Sequence, residues 1–142
     1  KAYFAIWQQH LNTMSDATGL CKFWTQWFAP DMWGFKQPTE LLNAVTGWDM
    51  TPDELMETSE RIWNMEKLFN VREGEDRRND NPPSIFYEPI KEGSRKGLCL
   101  EPDKWEKLLD EYYDLRGWDR NGIPKPETLK RLGMDKEPSN IL

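Results

Sequence analysis

The chain has 142 residues, a formal net charge of −6, and 13% aromatic content that includes eight Trp. That length suffices for one domain with a real core, and an acidic chain whose basic residues are spread out, with only short clusters such as Arg77-Arg78, is not built to bind nucleic acid. No apolar run approaches the ~20 residues that span a bilayer, no signal-peptide pattern opens the chain, and one His with two Cys cannot complete a four-ligand Cys/His zinc site.

In chain order, the pattern predicts an all-α, multihelical fold over 1–142 as a single domain, with no convincing strand. The first helix is expected over about 1–15, because Tyr3, Ile6, Trp7, His10, Leu11 and Met14 recur at three- and four-residue steps. Lys1-Ala2-Tyr3 is already helix-like and is not a Met start, so a piece of a longer, cytoplasmic polypeptide is expected. His10 lies on the apolar stripe and reads as a partly buried histidine with a hydrogen-bond partner, since nothing beside it resembles a ligand or nucleophile. Residues 16–37 read as an irregular aromatic segment punctuated by Pro30 and Gly34. A short helix over 39–46 stops at Gly47.

Thr51-Pro52-Asp53-Glu54 is the clearest helix start, with Thr51 as cap, Pro52 in the first turn and Glu54 completing a capping box. This helix is expected to run to about Asn70, with Leu55, Ser59, Ile62, Trp63, Glu66 and Phe69 on one face and Glu66 as a boundary charge. Residues 71–100 carry no strong periodicity and read as a long loop, a feature usually functional or disordered in compact domains. A fourth helix is expected over 103–116, with Trp105, Leu108, Leu109 and Tyr112 inward and Gly117 as its stop. A last short helix over 127–132 ends at Gly133, followed by a tail.

The candidate site is Asp16-Ala17-Thr18-Gly19-Leu20-Cys21. The chain leaves a helix at Asp16 and turns at Gly19, where glycine permits positive φ and close backbone approach to a ligand. A carboxylate accepts a planar pair of donors, such as an aminopyrimidine ring presents. A thiolate at Cys21 can ligate iron. On these six residues alone, an ordinary helix exit with a packed Leu-Cys explains the pattern as well.

Further motifs follow. Cys21-Lys22-Phe23 comes directly, then Glu40-Leu41-Leu42-Asn43-Ala44-Val45-Thr46-Gly47, Thr51-Pro52-Asp53-Glu54-Leu55 and Phe69-Asn70-Val71-Arg72-Glu73-Gly74. Leu109-Asp110-Glu111-Tyr112-Tyr113, Arg116-Gly117-Trp118-Asp119 and Gly122-Ile123-Pro124 stand near the end. In this order and spacing, over about residues 14–134, they resemble the C-terminal region of the tungsten-containing aldehyde ferredoxin oxidoreductases. Two places depart from that family: Glu75 stands where an aromatic residue usually follows Arg72-Glu73-Gly74, and Pro82 where Leu often precedes Pro83. Both fall in the long loop and leave the substrate open.

The resemblance implies a tungstopterin, with tungsten or molybdenum held by two pterins, and one 4Fe-4S cluster. Cys21 falls on the fourth cluster ligand and Asp16 on the pterin-contacting aspartate. Gly19, Leu20 and Lys22 fall on or beside neighbouring pterin contacts. It also implies oxidation of aldehydes to carboxylic acids, ferredoxin as electron acceptor, and upstream domains that carry the other three cysteines. A four-iron cluster usually takes four cysteines, so the chain by itself is expected to be colourless, metal-free and inactive. No residue reads as a catalytic acid or base.

Three alternatives remain. One is a related tungsten enzyme of aromatic-acid metabolism. Another is a non-catalytic helical interaction domain using residues 23–35. The third is a redox sensor using Cys21 and Cys99. Trp24, Trp27 and Phe28 are expected to meet another domain. Cys99 sits in Gly97-Leu98-Cys99, an echo of Gly19-Leu20-Cys21 with Ser94 in place of the aspartate, and reads as a structural cysteine.

Overall fold

A computed structural model describes residues 1–23 and 34–135. Trp24, Trp27 and Phe28 lie outside the described residues. Among those described the fold is helical with no strand, as the periodicity predicts. The helices are α1 (Ala2–Thr18), α2 (Lys36–Thr46), α3 (Pro52–Arg72), α4 (Pro102–Arg116) and α5 (Pro126–Arg131). No helix among them is long and apolar enough to cross a membrane.

Helix α3 begins as its sequence dictates. Thr51 Oγ1 accepts from the Glu54 N–H at 3.2 Å, and the Glu54 carboxylate accepts from the Thr51 N–H at 2.7 Å. These satisfy backbone groups that the helix itself leaves orphaned. Glycines in the left-handed region close α1 at Gly19, α2 at Gly47 and α4 at Gly117. Two boundaries differ from the sequence expectation. Helix α1 runs through Thr18, whose hydroxyl donates back to the Met14 carbonyl at 2.7 Å, and stops only at the left-handed Gly19. Helix α2 starts at Lys36, with Pro38 in its first turn, where its missing N–H costs nothing.

Helix α3 is the spine. Near its start, Leu55 joins Leu11 and Met14 of α1 and Phe35 in one core cluster. In its middle, Trp63 packs on Leu109 and Tyr113 of α4 and on Trp118. Toward its end, Leu68 meets Leu129, Leu132 and Met134. Helix α1 lies against both α3 and α4.

The inward faces differ from the simple apolar stripes. Tyr3 and Phe69 are exposed, whereas Asn64 and Lys67 are buried. Both polar groups are satisfied: Asn64 Oδ1 accepts from the Trp118 indole N–H at 2.8 Å, and Lys67 pairs with Asp80 at 3.2 Å. Buried polar atoms are tolerated only on such terms. Glu66 is exposed, as a boundary charge should be.

The long segment after α3 contains two 3-10 turns, Arg77–Asp80 and Ser84–Tyr87. Its start is pinned to α4: Arg77 donates to Glu106 at 2.6 Å and to Asp110 at 2.8 Å, and the Tyr113 hydroxyl donates to Asp80 at 2.5 Å. Burial and the Asp80 carboxylate both push the Tyr113 phenol upward, so it remains a donor. After α4 the chain reverses tightly, with Trp118 bridging antiparallel to Pro124, and delivers α5 back onto α3.

Candidate functional site

The Asp16–Lys22 segment forms an exposed corner at the C-terminal end of α1. Asp16 lies in the last turn of the helix, and its carboxylate points to solvent 2.8 Å from Lys22 Nζ. Both side chains are largely exposed, so this pair contributes at most about 1 kcal/mol. It can open to another partner at little cost.

Gly19 adopts φ 73°, and the N–H groups of Gly19 and Leu20 both donate to the Ser15 carbonyl. That geometry ends the helix and turns the chain. A Cβ placed on Gly19 would meet nothing within 4 Å. Leu20 is the anchor: it packs against the cluster of Leu11, Met14, Phe35 and Leu55. Cys21 then emerges exposed and outside any disulfide.

Local chemistry therefore places the five residues singled out in the sequence on one corner. A half-buried leucine holds it, an open backbone turn forms its floor, and a carboxylate and a thiol are presented outward. These are the groups that would contact a flat heterocycle and ligate iron. The fit is partial by construction. Among the described residues, no group of three or more His, Cys, Asp or Glu is placed to hold a metal ion. The corner by itself presents one thiol.

Cys99 does not share this role. Its loop repeats the positive φ, with Gly97 at 84°, but no carboxylate precedes it. The thiol is exposed and free, which corrects the expectation of a structural, packed cysteine.

A second cluster, of which the sequence marks only His10 and Tyr112 as inward, holds α1 against α4. Arg116 is only 1% exposed. Its Nη2 donates to Gln9 Oε1 at 2.5 Å, its Nε to the Tyr112 hydroxyl at 3.2 Å, and its Nη1 lies 2.7 Å from His10 Nε2. The rings of Trp63, Tyr112 and Trp118 surround the guanidinium with centroids 5.2, 5.4 and 5.8 Å away. His10 is thus buried with a partner, as its place on the stripe predicts. Burial first, then the Arg116 charge, lowers its pKa from 6.5 to about 4.

Beside this cluster, at the start of α1, lies a cavity of about 360 Å³ lined by Gln9, Trp63, Trp105, Tyr112 and Trp118. Trp105 Nε1 is buried there without a hydrogen-bond partner among the described residues. The cavity and the Asp16–Cys21 corner occupy opposite ends of the same helix.

The all-helical fold and its sequence define a domain of an oxidoreductase. Residues 1–134 match the family described as aldehyde ferredoxin oxidoreductase, domains 2 and 3, and the chain belongs to that family of oxidoreductases. It is 37% identical over 138 residues to the tungsten-containing aldehyde ferredoxin oxidoreductase of Pyrococcus horikoshii, covering 96% of this chain and 21% of the relative. It is 40% identical over 129 residues to that of Pyrococcus furiosus, covering 89% and 20%. The aliphatic sulfonate oxidoreductase, WOR-like subunit, of Pyrococcus furiosus is 33% identical over 132 residues, covering 89% and 20%. Among solved structures, the active-site complex BamBC of benzoyl coenzyme A reductase, in complex with 1,5-dienoyl-CoA, superposes with a TM-score of 0.81. That alignment is 25% identical and covers 98% of this chain and 20% of that one. The chain therefore spans about a fifth of the length of the relatives it matches.

Proposed function

We propose that this chain is the C-terminal, cofactor-contacting part of a tungstopterin and iron–sulfur enzyme that oxidises aldehydes to carboxylic acids and passes the electrons to ferredoxin. In the full-length protein Cys21 is one of the cluster's ligands, and Asp16 anchors the amino-substituted ring of a pterin. Gly19 keeps the backbone low enough for that ring to approach. Leu20 fixes the turn by packing, and Lys22 balances the carboxylate when no ligand is present. When bound, such a centre would supply the redox chemistry. The residues of this chain hold and orient it; upstream domains of the same polypeptide supply the remaining cysteines.

One observation carries this reading. The turn at Gly19 exposes Asp16 and Cys21 together, within a chain matched to the family along residues 1–134. Iron analysis of a full-length Cys21→Ala variant tests it. Loss of cluster iron with the fold retained is the expected result; iron equal to the parent protein's would sink the assignment.

A second reading, a related tungsten enzyme acting on aromatic acids or their thioesters, draws on the TM-score of 0.81 to the benzoyl coenzyme A reductase complex. A substrate screen of the full-length enzyme separates the two. Aldehyde-dependent reduction of ferredoxin supports the first, and turnover of aromatic acyl-thioesters alone supports the second.

A further inference from the structure

Arg116 carries a positive charge to which no carboxylate among the described residues is hydrogen-bonded. A guanidinium stays protonated in proteins, and this one is almost completely buried. Its hydrogen-bond partners, Gln9, His10 and Tyr112, are all neutral. Glu60 is near enough for its charge to be felt, but its carboxylate is bound to Arg131 at 2.5 Å. The three surrounding rings offset part of the cost of burial through their electron-rich faces, without supplying a negative charge.

A buried charge of this kind acts at longer range than a surface charge, because ions and water screen it less. Helix α1 receives it. Gln9 and His10 grip the guanidinium, and the Asp16–Cys21 corner closes the same helix. From His10 to Thr18 is eight residues, or about 12 Å of helix axis at 1.5 Å per residue. A reduced cluster carries one more negative charge than an oxidised one. A fixed cation held against that helix favours the reduced form.

We propose that Arg116 is a tuning residue that raises the reduction potential of an iron–sulfur cluster bound through Cys21, and that the neutrality of Gln9 is what leaves its charge uncompensated. This rests on the reading of Cys21 as a cluster ligand. Arg116 acts through its field and through α1, and touches neither substrate nor cluster.

Potentiometric titration of the cluster in the full-length holoenzyme, followed by electron paramagnetic resonance, tests this. Gln9→Glu is the primary variant: it keeps the side-chain shape and sets a carboxylate against Arg116 where an amide oxygen now sits. Arg116→Met removes the charge at similar side-chain length, and Arg116→Lys keeps the charge while losing the fork. Gln9→Glu and Arg116→Met are expected to shift the midpoint to more negative potential, and Arg116→Lys to leave it near the parent value. If Arg116→Met does not fold, the isosteric Gln9→Glu still decides. An unchanged midpoint in a Gln9→Glu enzyme with full iron overturns the tuning role. Full iron in Cys21→Ala overturns the ligand assignment instead, so the two failures are distinguishable.

Discussion

Nε2 of His10 lies 2.7 Å from Nη1 of Arg116, and because a guanidinium only donates, the ring nitrogen must be the acceptor. The histidine is therefore neutral in the fold, with its proton on Nδ1. Its pKa drops from 6.5 to about 4 through burial and the adjacent cation, with Glu60 opposing.

The sign of the consequence is fixed. A ring that protonates more readily when unfolded contributes stability fully above pH 6.5 and loses it as pH falls toward 4. Between pH 7.5 and 5 the loss is about 2 kcal/mol, at 1.36 kcal/mol per pKa unit over the part of the shift traversed. This is the only histidine, and Glu54, Asp76 and Asp110 are all held below their ordinary carboxylate values, so they contribute at lower pH. Urea denaturation across this range should show the decline in the parent chain and a flatter profile in His10→Gln. A parent chain equally stable at both ends contradicts the neutral-histidine assignment.

Two tryptophans at the same helix interface should respond differently to loss of their indole N–H. Trp118 donates to the buried Asn64 at 2.8 Å, so Trp118→Phe strands an amide oxygen and should cost about 2–3 kcal/mol, more than packing alone explains. Trp105 Nε1 has no partner among the described residues, so Trp105→Phe sacrifices no bond and should cost about 1 kcal/mol or less. Denaturant midpoints of the two variants give the comparison. Similar losses would mean that the Trp118–Asn64 bond contributes nothing distinctive.

The cap of α3 offers a local test. Thr51→Ala removes the acceptor for the Glu54 N–H and the hydroxyl that donates to the Glu54 carboxylate, while the backbone N–H of residue 51, the larger cause of that carboxylate's low pKa, stays bound to it. A loss of about 1 kcal/mol is expected in thermal or urea unfolding, and Thr51→Ser should restore most of it. Failure of serine to do so would place the effect in the threonine methyl group rather than the cap.

That cap is legible in the sequence because its chemistry spans four residues, as are the glycine stops at Gly47 and Gly117. The site corner is legible for the same reason: Asp16, Gly19 and Cys21 are joined by a single turn. What escapes a one-dimensional reading depends on partners far along the chain. Asn64 and Lys67 look like solvent-facing residues until Trp118 and Asp80 arrive to satisfy them. Phe69 looks like core, yet it lies on the surface under the Arg72 guanidinium. The end of α1 falls a turn beyond the expected exit at Asp16, because the αL stop is at Gly19. Arg116 gives no signal at all: next to a helix stop it reads as a surface cation, and its partners Gln9 and His10 lie more than a hundred residues earlier.

Gly19 and Gly117 both end helices with positive φ, at 73° and 67°, but for different physical reasons. At Gly117 the turn is also crowded. The Thr128 hydroxyl donates to the Gly117 carbonyl at 2.7 Å, and a Cβ there would run into that same hydroxyl. Gly117→Ala combines the left-handed backbone cost of about 1–2 kcal/mol with overpacking of about 1–3 kcal/mol, and should detach α5 from the end of α4. Gly19→Ala meets open space, so only the backbone cost applies. Its unfolding midpoint should fall much less than that of Gly117→Ala. In the full-length protein the added methyl group should nonetheless lower bound pterin, because it stands on the surface that the ring must approach. A Gly19→Ala protein with undiminished pterin would show that the openness of this turn serves only the helix end, and would remove Gly19 from the cofactor contacts while leaving Asp16 and Cys21 to be tested on their own.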